Sequence, residues 1–465
     1  MDKLIPGAFA VLGALLLGLW LATGRQAGRF TERVPQPLPP GRSPGSTAPV
    51  NLAGRFLAFD GLPAADLPGS WPRFRGERLD NIAADAPPLA RSWGSGGPAV
   101  LWSRDLGEGY AGAAVRNGRV YVLDYDQAAQ TDALRCLSLE DGREVWRRAY
   151  PVKIKRNHGM SRTVPAVTER FVVTLGPKCH VLCVEAATGK YLWGLDLVRQ
   201  FRARVPVWYA GQCPLIEGDR VILAPGGSAL LMAVDAATGK VLWKTPNPRQ
   251  WTMTHSSVLP VEFNGRRMYV YCASGGVVGV SAADGSLLWE TTEWKISIAN
   301  VPTPVAIGEG RLLLTGGYNA GGMILQLEES EGRITAKVAA RFKPAELGAE
   351  QQTPIFYEDH IYAVLPSGQP SSGQLVCLDA EGERRWASGN TRRFGLGPFL
   401  IADGLIFVMN DSGLLTLAEA TPGGYRQLAQ ARVLQGHDSW GPLALAGDRL
   451  LARDLTRMVC LDVGQ

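Results

Sequence analysis

Two nearly identical octamers, AATGKYLW at 186–193 and AATGKVLW at 236–243, show that the chain repeats a structural unit. In both octamers a turn glycine is followed four residues later by a tryptophan. This pair recurs at intervals of about 40 to 50 residues, which is the period of propeller blades and of some helical repeats. The clear copies are DGREVW (Gly142, Trp146), TGKYLW (Gly189, Trp193), TGKVLW (Gly239, Trp243), DGSLLW (Gly285, Trp289) and EGERRW (Gly382, Trp386).

The residue pattern inside each unit is typical of β-strands. Apolar residues rich in Val, Leu, Ile and Tyr alternate with period two, and no ten-residue stretch has helical period, which excludes helical repeats. The third unit shows four such runs, at 212–216, 220–225, 229–236 and 241–245, separated by turns. Each unit is therefore predicted to be a four-stranded antiparallel meander.

The number of units predicts how the ring closes. Two degenerate copies, at 331–336 and 422–428, fill the gaps, and an eighth unit begins at 457–464 without an outer strand. The segment PAVLWSRDL at 98–106 matches KVLWKT and supplies that strand, with Trp102 at the repeated position. We predict an all-β, eight-bladed β-propeller over residues 71–465, closed by an N-terminal strand, with tryptophans packed between neighbouring blades. The docking tryptophans are Trp102, Trp146, Trp193, Trp243, Trp289 and Trp386.

The amino end predicts a membrane anchor. Residues 4–23 contain no charged side chain, and twenty helical residues span about 30 Å, the thickness of bilayer hydrocarbon. We expect residues 1–33 to be an uncleaved anchor with its flanks, and the propeller to be periplasmic or otherwise extracytoplasmic. A cleaved signal peptide is the alternative, and the arginines at 25, 29 and 33 favour the opposite orientation by the positive-inside rule. Residues 34–70, with six prolines in 34–50, are predicted to be an extended tether, so that the folded part begins near Trp71.

The repeat resembles the tryptophan-docking repeat of pyrroloquinoline-quinone (PQQ) propellers. The segments WPRFRGERLDNI (71–82), HGMSRTVP (158–165) and RVPVWYAGQCPLIEGD (204–219) are similar to those of exported or membrane-anchored PQQ-like proteins that are themselves similar to the assembly protein BamB. The resemblance implies the propeller fold over about residues 70 to 465. It leaves activity open, because this group contains both dehydrogenases and proteins that only bind or scaffold.

The adjacent cysteine pair that the resemblance implies for a dehydrogenase is not in the sequence. PQQ dehydrogenases of this fold have two adjacent cysteines, a Ca²⁺ site of Glu, Asn and Asp, and a catalytic Asp, whereas none of the seven cysteines here adjoins another. Cys136, Cys183, Cys377 and Cys460 share one repeat position and are expected to pack inside blades. Strand alternation directs His180 away from its neighbouring cysteines. We therefore assign no catalytic residue and no metal ligand, and expect no cofactor, with PQQ and Ca²⁺ as the alternative.

Charged and aromatic residues indicate that one face of the propeller binds a ligand. The longer loops share the face opposite the short glycine turns, and the connections 147–162 and 194–211 carry nine Lys or Arg against one Asp. Arginine binds carboxylate or phosphate, and aromatic rings add stacking. The alternative is a solvated cationic rim. The predicted ligand-binding residues are Arg156, His158, Arg162, Arg204, Trp208, Tyr209 and His255, with Trp251, Trp294, Tyr318, His437 and Trp440 beside the later loops.

These features predict a membrane-tethered, noncatalytic binding or scaffold module for a protein partner or a small anionic ligand. The alternative is a quinoprotein oxidoreductase of the alcohol or sugar dehydrogenase type with a nonstandard pocket. A nucleic-acid partner is not expected, because the formal net charge is only +5 and the basic loops lack a regular stacking platform.

Overall fold

The structure, a computed structural model, describes residues 12–19, 49–64 and 66–465. The chain divides into two units, Met1–Pro49 and Val50–Gln465. In the first unit, residues 12–19 form helix α1. The rest of the predicted anchor, and residues 34–48 of the predicted tether, lie outside the described residues. Within those described ranges, no helix has the length and apolar character needed to cross a membrane.

The second unit contains eight small antiparallel sheets in chain order, which confirms the predicted all-β eight-bladed propeller. Blades 1 to 4 run from inner to outer strand as β4 (Ala114–Arg116), β5 (Arg119–Asp126), β6 (Thr131–Ser138) and β7 (Glu144–Pro151); β8 (Ala166–Val167), β9 (Phe171–Leu175), β10 (His180–Glu185) and β11 (Tyr191–Asp196); β12 (Leu215–Glu217), β13 (Arg220–Leu223), β14 (Ala229–Asp235) and β15 (Val241–Pro246); and β16 (Leu259–Phe263), β17 (Arg266–Ala273), β18 (Gly276–Ser281) and β19 (Leu287–Thr291).

Blades 5 to 8 repeat the arrangement, and a short helix, α2 (Leu197–Phe201), lies between blades 2 and 3. Their strands are β20 (Val305–Ala306), β21 (Arg311–Gly316), β22 (Gly321–Ser330) and β23 (Arg333–Phe342); β24 (Ile355–Tyr357), β25 (His360–Val364), β26 (Leu375–Asp379) and β27 (Arg384–Ala387); β28 (Phe399–Ala402), β29 (Leu405–Met409), β30 (Leu414–Glu419) and β31 (Gln427–Arg432); and β32 (Ala444–Ala446), β33 (Arg449–Arg453), β34 (Arg457–Asp462) and the N-terminal strand β3 (Ala99–Asp105).

Strand β3 closes the ring by completing blade 8. It pairs antiparallel with β34, and Trp102 lies opposite Cys460. A strand that precedes blade 1 and the last strand of the chain thus share one sheet, as the sequence predicts, so the eighth blade has its outer strand.

Two further strands precede β3. Strand β1 (Arg55–Ala58) adds to the outer edge of blade 1 by pairing with β7, and β2 (Ile82–Ala83) pairs in parallel with the inner strand β28 of blade 7. Because β1 lies inside the predicted tether 34–70, the folded unit begins at residue 50 rather than near Trp71. The physical reason is that Leu52 and its neighbours bury apolar surface against Tyr125 and Tyr150.

Each outer strand has a β-bulge beside the repeated tryptophan position. In blades 1, 2, 6 and 8 a cysteine of the third strand lies opposite that tryptophan, as in the pair Cys136 and Trp146. The register shift between the third and outer strands adjoins this position in all eight blades. A bulge twists a strand locally, and a small residue opposite leaves room for the indole.

Four tryptophans lie directly over the turn glycine of the following blade. A Cβ atom added to those glycines would be 2.4 to 2.7 Å from the indole ring. Such contact requires glycine both for space and for its positive φ. The pairs are Trp102 with Gly142, Trp146 with Gly189, Trp193 with Gly239, and Trp243 with Gly285.

The other two tryptophans, Trp289 and Trp386, do not lie over a turn glycine of the following blade, and blade 5 departs from the repeat. Its strands β22 and β23 form a long ten-residue hairpin, and Trp289 packs on Gly279 of its own blade. Phe342, at the end of β23, takes the tryptophan's place over Gly382 of blade 6. Trp386 instead donates from Nε1 to the Thr421 carbonyl at 2.7 Å.

We expect Gly239→Ala to lower the free energy of unfolding by about 3 kcal/mol, because the methyl group meets the Trp193 ring at 2.7 Å while the backbone keeps φ near +70°. Gly218→Ala is the matched control, with φ of +57° but no atom within 4 Å of the added Cβ. It should cost only about 1 kcal/mol. Urea denaturation of both variants checks this, and equal losses would mean that tryptophan docking contributes nothing at that turn.

A girdle of hydrogen bonds joins the inner edges of neighbouring blades. At one repeat position, each backbone N–H donates to a side chain of the next blade. The bonds run from Val164 to Cys213 Sγ (3.3 Å), from Cys213 to Ser257 Oγ (3.0 Å), from Ser257 to Thr303 Oγ1 (3.3 Å) and from Thr303 to Thr353 Oγ1 (3.0 Å). This girdle fixes the residues just before the inner strands of blades 2 to 6.

Residues 71–83 cross the inner ends of several blades, and we call this segment the axial plug. Trp71 exchanges two backbone hydrogen bonds with Val115 of blade 1, and Pro72 accepts one from blade 2. Arg73 donates to the carbonyl of Ile216 in blade 3 at 3.0 Å, and the buried Arg75 donates to that of Pro354 in blade 6 at 3.0 Å. Strand β2 then ends the plug in blade 7. The plug therefore connects inner strands that are distant from one another around the ring.

Candidate functional site: an aromatic cavity on the axis

A cavity of about 300 Å³ lies on the propeller axis. Its walls come from the connections that lead into the inner strands, and Phe74 of the axial plug contributes to them. This volume is near the lower end of the usual range for small-molecule pockets, roughly 300–1,000 Å³. The side chains that line it are Phe74, Tyr110, His158, Arg162, Trp208, Cys213, His255, Ala299, Val301, Tyr318, Glu350, Gln351, Gln352, Leu396, Trp440 and Pro442, together with Gly211.

Arg162 is the arginine of this lining. Its guanidinium carbon lies 5.1 Å from the centre of the Tyr110 ring, and Nη2 donates to the Asn157 carbonyl at 3.3 Å. The Nε atom is buried and has no hydrogen-bond partner among the described residues. Burial lowers the pKa of Arg162 from its usual value. Arginine side chains keep their charge in proteins at neutral pH. The cavity lining thus contains a cation that is held in position by the Tyr110 ring and the Asn157 carbonyl.

His255 stands beside Arg162 and is held by close packing. A Cβ on Gly211 would lie 2.3 Å from the imidazole Cδ2, so only glycine fits there. Burial, and next the charge of Arg162, lower the pKa of His255 to about 4, although a hydrogen bond with the Tyr209 backbone acts in the opposite direction. Because of this shift, His255 is neutral at pH 7.

Trp208 and Tyr209 are adjacent in sequence but have different roles. Trp208 lines the cavity. Tyr209 is buried with a positive φ of 68°, donates its hydroxyl to the Lys155 carbonyl, and has the Lys178 amine 5.2 Å from its ring centre. Tyr209 therefore joins the connection between blades 2 and 3 to the connection between blades 1 and 2. It is not among the described residues that line the cavity.

The nine Lys and Arg residues of the connections 147–162 and 194–211 divide into three groups. Arg147 and Arg156 pair with Glu144 and Glu108, and Arg148 donates to backbone carbonyls, so these are engaged in structure. Arg162 lines the cavity. The remaining five are exposed and make no ion pair within the described part of the chain: Lys153, Lys155, Arg199, Arg202 and Arg204.

The structure therefore separates residues that the sequence groups together. Arg162, His158, Trp208 and His255 converge on the cavity. Arg156 points to Glu108 on the rim, with Nε 2.6 Å from the carboxylate, and Arg204 is exposed; neither is among the described lining residues.

Glu350, on the far side of the cavity, was not identified from the sequence, whereas Trp440 was named there among the aromatic residues beside the later loops. Glu350 accepts at Oε2 from the Ser367 N–H (3.0 Å) and from its hydroxyl. Trp440 donates from Nε1 to Asp411 Oδ1 at 2.7 Å, and its ring centre is 5.3 Å from that of Tyr110. The motif QTP at 352–354 resembles RTVP at 162–165, so an alignment of the inner strands would have pointed to this connection.

Cys213 lines the cavity but is not poised for nucleophilic chemistry. Burial raises the pKa of its thiol to about 12, and the other six cysteines are also buried and unpaired. A thiol with so high a pKa stays protonated and unreactive at neutral pH.

An eight-bladed ring joined by indoles docked on turn glycines, with an aromatic cavity on its axis, defines a PQQ-like propeller of the tryptophan-docking type. A family model described as "outer membrane protein assembly factor BamB" matches residues 130–370, just over half of the chain. The chain belongs to this family. A comparison with curated protein sequences gave no significant match.

Solved structures support the fold at low sequence identity. A europium-containing methanol dehydrogenase superposes with a TM-score of 0.59 at 12% identity, covering 83% of this chain and 90% of that chain. A quinohemoprotein alcohol dehydrogenase from Pseudomonas putida HK5 gives 0.58 at 13% identity, covering 86% and 81%. The computationally designed protein Ika8 gives 0.54 at 12% identity, covering 78% and 99%. These likenesses concern the fold alone.

The donor atoms in the cavity do not suit the Ca²⁺ that accompanies PQQ in dehydrogenases of this fold. Ca²⁺ takes six to eight oxygen ligands, usually including several carboxylates. Glu350 is the carboxylate of the described lining, and the described residues contain no group of three or more His, Cys, Asp or Glu side chains placed to hold a metal. The aromatic walls and Arg162 suit an organic anion better than a metal-bound one.

Proposed function

We propose that this protein is a membrane-tethered, noncatalytic binding module, which holds an anionic group of a small ligand or of a protein partner on its long-loop face. The observation that carries the proposal is Arg162, a guanidinium that lines an aromatic-walled cavity and that makes no ion pair among the described residues. A guanidinium without a counter-ion in a partly buried site favours an incoming anion, because it can donate charge-assisted hydrogen bonds to it. The apolar segment 4–23 supports the tether by its length. An extracytoplasmic propeller is part of the proposal, although the arginines at 25, 29 and 33 favour the opposite orientation.

The rim supports the same reading. Five exposed cations on two adjacent connections make no ion pair within the described residues, so they create a local positive field beside the cavity mouth. The whole chain carries a formal charge of only +5. Such a field raises the association rate of anions and weakens with added salt. The rim would therefore guide a ligand or partner, while the cavity would hold the anionic group itself.

We expect Arg162→Gln to weaken binding of 2-naphthoate, a planar aromatic monoanion, by about tenfold or more, because one charge-assisted hydrogen bond contributes about 1.5–3 kcal/mol. Arg156→Gln is the matched control. It lies on the same connection but outside the cavity lining, and its affinity should stay within about twofold of the unsubstituted protein. Isothermal titration calorimetry measures both, with thermal unfolding to check the fold of each variant.

Two results would contradict the proposal. If Arg156→Gln weakened binding as much as Arg162→Gln, the rim rather than the cavity would be the site. If protein loaded with PQQ and Ca²⁺ reduced a dye with an alcohol or a sugar as substrate, the module would be an oxidoreductase.

A further inference from the structure

The axial cavity carries charges of opposite sign on opposite walls. Arg162 precedes the inner strand of blade 2, and Glu350 precedes that of blade 6. In a closed ring of eight consecutive blades, blades 2 and 6 face each other across the axis. The two charged side chains therefore approach the cavity from opposite sides.

Each of these charges is fixed by its surroundings. The Arg162 guanidinium lies over the Tyr110 ring. Both hydrogen bonds from Ser367 to Glu350 use Oε2, and the Glu350 side chain packs on Gly317, where a Cβ would lie 2.4 Å from Cγ. A fixed pair of charges is a preorganised site, because its side chains lose little freedom when a ligand binds.

The rest of the described lining adds no formal charge at pH 7 when histidine is counted as neutral. The lining also includes the aromatic side chains of Trp208, Tyr318 and Trp440. The formal charges of this lining therefore sum to zero. A ligand with several negative charges would meet the Glu350 carboxylate, whereas a ligand with one charge of each sign would complement both walls.

We propose that the axial cavity binds a small zwitterion of the amino acid or short peptide class, with its carboxylate at Arg162, its ammonium at Glu350 and an apolar or aromatic body between the tryptophans. This inference rests on the proposed function and specifies it: the anionic group is the carboxylate of a ligand whose net charge is zero. Ion pairs at both ends fix the orientation of the ligand, and the indole and phenol rings supply apolar contact and cation–π attraction for the ammonium group.

Three forms of one dipeptide test the inference. Phenylalanylglycine is a zwitterion at pH 6.5, its N-acetyl form is a monoanion and its C-terminal amide is a monocation. By calorimetry at pH 6.5 we expect the zwitterion to bind at least about tenfold more tightly than either blocked form, because each block removes one ion pair. Equal affinity for the zwitterion and the N-acetyl form would overturn the inference while leaving the proposed function intact. Absence of binding by all three forms and by 2-naphthoate would overturn the proposed function itself.

Substitutions at the two charges sharpen the test. Glu350→Gln should weaken zwitterion binding about tenfold and strengthen binding of the N-acetyl monoanion, because it removes a repulsive carboxylate. Arg162→Gln should weaken both. Glu346→Gln, an exposed position on the same connection and not among the described lining residues, serves as the control. An unchanged preference in Glu350→Gln would overturn the inference, and the comparison of the three dipeptide forms decides it if that variant does not fold.

Discussion

Trp102→Ala should lower the free energy of unfolding by about 3–5 kcal/mol, the usual cost of truncating a buried tryptophan. The indole is 7% exposed, donates from Nε1 to the Leu139 carbonyl at 2.9 Å, and covers Gly142 of blade 1. Its strand also supplies the outer edge of blade 8. Removing it therefore weakens packing between two blades at the place where the ends of the chain meet.

Trp243→Ala is the control for that result. Trp243 covers Gly285 in the same way, but it is partly exposed, its Nε1 has no hydrogen-bond partner among the described residues, and it lies within a continuous stretch of chain. We expect it to cost about 2 kcal/mol. Urea denaturation followed by circular dichroism gives the free energies, and limited proteolysis between residues 84 and 98 reports release of β3. Equal losses without new cleavage would show that closure has no energetic role of its own.

Asp132→Asn should raise the free energy of unfolding at pH 8 by several kcal/mol and should have little effect near pH 4. Asp132 is 1% exposed; Oδ2 accepts from the Tyr150 hydroxyl at 2.6 Å, and Oδ1 has no partner among the described residues. Burial raises the pKa of this carboxyl from 3.8 to about 7, and the hydrogen bond from Tyr150 offsets only part of that shift.

The sign of this effect follows from proton binding. Between pH 4 and pH 7 the folded protein holds a proton on Asp132 that the unfolded chain has lost, so the free energy of unfolding falls as the pH rises, by about 4 kcal/mol in total. Asparagine has no proton to lose in this range, so the Asp132→Asn variant does not lose this free energy of unfolding as the pH rises. The buried His255 acts with the opposite sign, because its lowered pKa makes stability rise with pH between about 4 and 6.5. The variant must therefore be compared with the unsubstituted protein at each pH.

Asp126→Asn provides the matched control, since Asp126 is an exposed carboxylate at the end of the same hairpin. Its pH profile of stability should coincide with that of the unsubstituted chain. Chemical denaturation at pH 4, 6 and 8 measures all three proteins. If Asp132→Asn shifted stability equally at every pH, the carboxyl of Asp132 would be ionised throughout, and burial would not control its titration.

The sequence is informative about whatever repeats and less informative about whatever does not. Turn glycines and tryptophans recur, so the number of blades and the closing role of Trp102 could be predicted. The docking residue of blade 5 could not be found from the repeat. Its hairpin is longer, so the aromatic residue, Phe342, lies further from the turn glycine than the four positions seen in the other units. Strand β1 has no repeated signature, so its pairing with blade 1 could not be read from composition.

The candidate site shows a similar division. Local composition predicted a binding site on the basic connections. It could not distinguish Arg162 from Arg156, which lies six residues away on the same connection. Glu108, the partner of Arg156, is distant in sequence, and only the fold brings the two together. Glu350 lies in another blade and carries no charge run of its own, so its place opposite Arg162 emerges only from the order of blades around the axis.

The axial plug and the closing strand impose an order on folding during synthesis. Residues 71–105 leave the ribosome early, yet several of their partners belong to blades 6, 7 and 8, made hundreds of residues later. Contacts of such long sequence separation form slowly, and until then apolar surface on both the nascent amino end and the unfinished edge remains uncovered. A chain stalled before its last blade would thus expose apolar surface both on the amino-terminal segment and on the unfinished blade edge. Protection from aggregation therefore comes when the final strand has been translated and paired, and not when folding begins.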